Sequence, residues 1–137
     1  MEMKELSEIF PIEKMAEYKN VDGLCEAIDS IYKDMGNQIN WREVLGILRE
    51  YATEFGGFNI FPDELADYDD FMALKRSVSD ALAGKRPLIR RICMNCHNTF
   101  YIYKSERDFF AKKRFSLPKR CKDCRKRKRL ERLKEME

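Results

Sequence analysis

Apolar residues recur at three- and four-residue steps through most of the first eighty positions. Val21, Leu24, Cys25, Ile28, Ile31, Tyr32 and Met35 share one face, with Asn20 as N-cap and Gly36 as stop, which predicts an amphipathic helix. A second helix is predicted after Asn40, which has Glu43 three residues on in a capping-box pattern. It carries Trp41, Val44, Leu45, Leu48, Tyr51 and Phe55 as a stripe before Gly56 and Gly57. A third is expected to start near Pro62 and Asp63, with Leu65, Tyr68, Phe71, Leu74, Val78 and Leu82 on one face and Gly84 at its end. A short turn follows Pro11, and FNIFP reads as an extended piece between helices. These elements predict a small helical bundle spanning residues 1–84.

The pattern changes at GKRPLIRR, where Gly84 and Pro87 interrupt the helical period and the charge reverses. Residues 1–84 hold 8 Lys or Arg against 18 Asp or Glu, a net of −10, whereas residues 85–137 hold 19 against 6, a net of +13. Such asymmetry points to a polyanion such as nucleic acid for the basic part, or to attraction between the halves of one chain or of two. The stripes of the acidic part also suit a homodimer seam or a docking face for another protein. Asp63, Glu64, Asp67, Asp69 and Asp70 look like a carboxylate cluster, but acids in first helical turns are explained by the helix dipole. The opening residues lack a signal peptide's apolar core and no run reaches membrane-span length, so a soluble, cytoplasmic protein with no membrane contact is expected.

The five residues CMNCH, Cys93 to His97, admit three chemistries: haem attachment, a redox pair, or half of a metal site. A second CxxC, Cys121 and Cys124, follows after 24 residues. Two such pairs favour one structural Zn²⁺ held by Cys93, Cys96, Cys121 and Cys124, because each two-residue gap lets a tight turn aim both sulfurs inward. A closed four-thiolate shell leaves no position for water or substrate, so the metal supports the fold, which depends on it. Haem attachment needs an oxidising compartment and leaves Cys121 and Cys124 without a role. Cys25 stands apart at a buried apolar position.

The segment CMNCHNTFYIYKSERDFFAKKRFSLPKRCKDCRKRKR resembles the bacterial probable zinc-ribbon domain family. The likeness lies in the two cysteine pairs and in Phe100, Glu106, Phe109, Phe110, Phe115, Pro118, Arg120 and Arg125, over about the last third of the chain. Three residues depart from the family pattern. His97 stands where a glycine follows the first pair, Arg107 where a glutamine is usual, and Arg114 where a glycine precedes the aromatic. The resemblance implies a zinc-binding module.

Within this module NTFYIYK alternates as a strand does, SERDFFAKKR reads as a short helix, and Cys121 and Cys124 fall at the start of a basic terminal helix. The fold class expected is mainly α, a helical bundle followed over residues 85–137 by a four-cysteine zinc-ribbon or treble-clef-like module. Part of the charge of Lys119, Arg120, Lys122, Arg125 and Lys126 offsets the negative thiolate site itself. Arg125, Lys126, Arg127, Lys128 and Arg129 nevertheless encircle a helix, and with Lys112, Lys113, Arg114, Lys119 and Arg120 they supply cations for phosphate contacts without base specificity, on DNA or RNA. Glu131 is spaced to pair with Arg127, and Leu130, Leu133 and Met136 form an apolar edge. Phe100, Phe109, Phe110 and Phe115 are expected as the module's small core, whereas Tyr101, Tyr103 or Phe115 are candidates for base stacking. The leading expectation is a non-catalytic, nucleic-acid-associated accessory protein. The alternative is an interaction adaptor, or a subunit bridging a nucleoprotein enzyme, that binds no nucleic acid directly. An enzyme is disfavoured because His97 is the sole histidine and no thioredoxin-like scaffold is evident.

Overall fold

The computed structural model describes residues 6–35 and 38–136. Two single-turn helices, α1 (Leu6–Ile9) and α2 (Ile12–Met15), precede three helices of equal length, α3 (Val21–Met35), α4 (Trp41–Phe55) and α5 (Tyr68–Leu82). The N-caps of α3 and α4 lie where the periodicity places them, and so do the stripes, except that Phe55 at the end of α4 is exposed. The Asn20 side chain accepts from Gly23 N at 2.8 Å, and that of Asn40 accepts from Arg42 N and Glu43 N. Gly36, the predicted stop of α3, lies outside the described residues. Gly56 ends α4 in the left-handed region at φ 62°, with its N–H on Ala52 O.

Helix α5 starts a turn later than the sequence predicts. Asp67 is its N-cap and accepts from Asp70 N at 2.9 Å, while the Asp70 carboxylate accepts from Ala66 N at 2.9 Å. These acids therefore close the start of a helix. Leu65 is buried all the same, delivered by the preceding loop. That loop is tied to α4 by Arg49, whose Nη2 donates to Pro62 O at 3.0 Å.

Helix α3 packs on both α4 and α5, burying Leu24, Cys25 and Ile28 against Leu48, Phe71 and Val78. Among the described residues, one charged side chain enters this core. Asp29 is 6 % exposed; it accepts from Tyr68 Oη at 2.7 Å and Lys75 Nζ at 3.1 Å, with Lys33 at 3.7 Å. The sequence signal for it is slight: an acid four residues after Cys25, continuing the apolar stripe.

Beyond α5 come β1 (Ile89–Ile92), β2 (Thr99–Ile102), α6 (Lys104–Lys112) and α7 (Lys122–Glu135). Strand β1 starts within the segment read as a junction and runs one residue past it. It pairs antiparallel with β2 in the register Ile89 to Ile102, Arg90 to Tyr101, Arg91 to Phe100 and Ile92 to Thr99. Leu88, Ile89 and Ile102 join the same buried cluster as the three long helices, so one core runs through the point of charge reversal. The outer edge of β1 is closed by Asn59 of FNIFP. Its N–H bonds Leu88 O, and its side chain bonds Arg90 N at 2.7 Å and Arg90 O at 2.9 Å. A second tie is Arg107, whose guanidinium donates to Gly57 O at 2.9 Å.

Candidate metal centre

The four paired cysteines converge. Cys93 and Cys96 sit on the turn between β1 and β2, Cys121 is the N-cap of α7, and Cys124 lies in its first turn. Their sulfurs all lie within 4.8 Å of one another, and Cys96 Sγ is 3.8 Å from Cys121 Sγ. A tetrahedron of zinc–sulfur bonds of about 2.3 Å puts its sulfurs roughly 3.8 Å apart. The donor set thus fits a zinc ion.

The turns are held by backbone bonds that the sequence does not reveal. Cys93 N donates to Asn98 O at 2.9 Å, His97 N to Cys93 O at 3.0 Å, and Met94 N to Lys119 O at 3.0 Å. Side chains add Arg120 Nε to Asn95 Oδ1 at 3.1 Å and Arg91 Nη1 to Pro118 O at 3.3 Å. Each ties the first knuckle to the approach of the second. His97 is exposed and outside the sulfur cluster, with φ 60°.

Two of the thiols are shifted in opposite directions. Hydrogen bonds from the backbone N–H of Cys96 chiefly, and of Cys121 and Asn95, outweigh burial and pull the Cys93 thiol down to about 5. Cys124 is pushed up to about 12, first by its hydrogen bond with Cys121, then by burial and the other two sulfurs. Four neighbouring thiols cannot all ionise without a positive ion among them. Cys25 lies elsewhere in the core, and burial pushes it up to about 12, which makes it an unreactive thiol.

A knuckle between two strands, with the second cysteine pair at the head of a helix, is the treble clef arrangement. Residues 89–132 match the family model described as "Probable treble clef domain". No family model matches the N-terminal half, and no curated protein or solved structure matches the chain. The treble clef accounts for two of the three departures noted in the sequence. His97 and Arg114 are the only non-glycine residues with positive φ among the described residues, at 60° and 58°. Arg114 follows α6 in a Schellman closure: Phe115 N donates to Phe110 O at 2.8 Å and Arg114 N to Ala111 O at 3.1 Å. The backbone keeps the glycine conformations although the glycines are gone.

The cations predicted to meet phosphate divide by placement. Lys126, Arg127, Lys128 and Arg129 are exposed along α7, and Lys112, Lys113, Arg114 and Lys119 are exposed around the end of α6 and the following loop. Arg120 is half-buried on Asn95, and Arg125 is half-buried beside Phe109 and Phe110 of α6, with its Nε buried and unbonded. The Arg127 to Glu131 ion pair allowed by spacing is not formed. Two aromatics expected in the module's core are outside it, since Phe109 and Phe115 are exposed. Leu88, Ile89 and Ile102 fill that core instead, against the helices.

Proposed function

We propose that the chain is a non-catalytic accessory protein whose treble clef holds one structural zinc and whose helix α7 lies against the phosphate backbone of DNA or RNA. The observation that carries this reading is the state of α7. It bears eight Lys or Arg against three Asp or Glu, and none of its cations makes an ion pair among the described residues. Acids of the N-terminal half pair instead with Lys33, Lys75 and Arg86, so the two charged halves do not neutralise each other through α7 within one molecule. A solvated stripe of unpaired cations is what counterion release on a polyanion requires. Four thiolates in a closed shell supply structure, and the lack of an open ligand position argues against metal catalysis. The acidic helices would engage a partner protein or a second copy.

The test is binding to DNA and RNA across salt concentration, for the wild type and for a variant with Lys126, Arg127, Lys128 and Arg129 changed to Gln. Arg125 is left intact because it packs on α6. The expected result is a log–log salt slope shallower by about 0.9 for each duplex phosphate that the variant no longer neutralises. Equal, salt-insensitive affinities for the two proteins would overturn the reading.

A second reading is favoured by Leu130 and Leu133, which are 51 % and 55 % exposed on α7. They suit a protein-docking role for that helix. A stable homodimer or partner complex whose formation ignores added nucleic acid would support the adaptor over the backbone binder.

A further inference from the structure

The outward face of the β1–β2 ribbon serves neither the metal centre nor α7. Strand alternation puts Arg90, Ile92, Thr99 and Tyr101 on that face. The N–H and C=O of Arg90 are turned to the Asn59 side chain, away from β2. Arg90 and Tyr101 are therefore a non-hydrogen-bonded register pair, the kind whose side chains approach most closely. Tyr101 is 49 % exposed, and the Arg90 guanidinium has no hydrogen bond or ion pair among the described residues. From Ala81 to Ser105 the chain carries Lys85, Arg86, Arg90, Arg91 and Lys104 and no acid.

Tyr101 is also one wall of an open groove of ≈ 690 Å³ against α5 and the loop before it. Phe61, Pro62 and Pro87 give it flat apolar surfaces, while Glu64, Asp70 and Arg86 line it with charges of both signs, Arg86 being turned to Asp80 at 3.8 Å and Ser77 at 3.4 Å. The cation beside the groove that is left unpaired among the described residues is Arg90, which lies outside the lining. The complementary ligand is neutral and planar where it meets Tyr101 and anionic beside it. A nucleotide unit with its base unstacked has that distribution; a duplex, whose base faces are covered, does not. An apolar protein side chain would fill the groove but leave Arg90 and the acid-free run unanswered.

We infer that the groove bordered by Tyr101 takes an unpaired base of a single-stranded nucleic acid, with Arg90 on the adjoining phosphate. This rests on the proposed nucleic-acid reading and narrows it to strands with exposed bases. The test uses the full chain with zinc, a labelled oligothymidylate and a labelled hairpin duplex in fluorescence anisotropy. Tyr101→Ala is expected to weaken oligothymidylate binding about tenfold and to leave the duplex within about twofold, while Tyr101→Phe keeps wild-type affinity. Photocrosslinking with a 5-bromouracil-containing strand is expected to mark Tyr101 or the groove. If the wild type binds both nucleic acids but Tyr101→Ala changes neither, or both equally, or if crosslinks fall on α7 alone, the inference fails and the proposed function stands. Wild-type protein that binds neither overturns both.

Discussion

Single residues carry unusual conformational cost in the treble clef. A non-glycine residue in the left-handed region costs about 1 kcal/mol, although histidine tolerates it better than most. Helix α5 closes on the same hydrogen-bond pattern as α6 but with glycine in place: Lys85 N donates to Asp80 O, Gly84 N to Ala81 O, and Gly84 has φ 84°. Arg114 occupies the equivalent position after α6 without that freedom. His97→Gly and Arg114→Gly should each therefore stabilise the zinc-loaded protein, by about 0.5 kcal/mol after the greater entropy of the unfolded chain is set against the relieved strain. Chemical denaturation with zinc held constant measures this; a lower midpoint for both variants would show that the side chains themselves are stabilising. The departures from the family pattern were legible in the sequence. Their left-handed backbone was not, because a turn's φ follows from where the paired strands and α6 require the chain to go.

At the scale of elements, periodicity located α3 and α4 because each has a dominant apolar face and an Asn cap. It misjudged the start of α5 because Pro62 resembles a first helical residue, while the working cap is Asp67 with Asp70. The α3–α5 contact is pinned by Asp29, whose carboxyl is held below the ordinary range. Burial alone would raise it, but hydrogen bonds from Tyr68 and Lys75 and the charges of Lys75 and Lys33 outweigh burial. A depressed carboxyl contributes stability that is present above its unfolded value, near 4, and is lost as pH falls through the folded value. Tyr68 is pushed up to about 12, chiefly by the same hydrogen bond, so its share is complete below its unfolded value, near 10, and disappears as pH rises toward 12. Asp29→Asn should cost about 2 kcal/mol at neutral pH and flatten the acid limb of a urea-midpoint profile. An unchanged acid limb would remove Asp29 as its source.

Across the whole molecule, the metal module and the helices share a core, and Asn59 and Arg107 bond across the seam. Chelation should therefore act unevenly. With the cation removed, the sulfurs at the root of α7 lose their common partner, and hydrogen exchange should quicken across residues 93–98 and 119–126 while α3, α4 and α5 stay protected. Far-UV dichroism should drop by part of α7 only. Global unfolding on chelation would instead show that the helical core depends on the metal as well. The same experiment reads salt-dependent nucleic-acid affinity, which should fall with the order of α7.

The sequence by itself determined the helical stripes, the four cysteines that cluster and the concentration of cations on one terminal helix. These follow from local period, from metal-ligand spacing and from charge count, and none needs a distant partner. Tertiary structure alone decided that IRRI, Ile89–Ile92, is a strand, because four residues become one only when β2 and Asn59 supply the missing hydrogen bonds. It also decided that Asp29 is buried and that Phe109 and Phe115 are exposed, since burial depends on which surface arrives from elsewhere in the chain. Above all it brought Tyr101 of β2 against a groove built from α5 and its preceding loop, a contact made by packing across the change of charge.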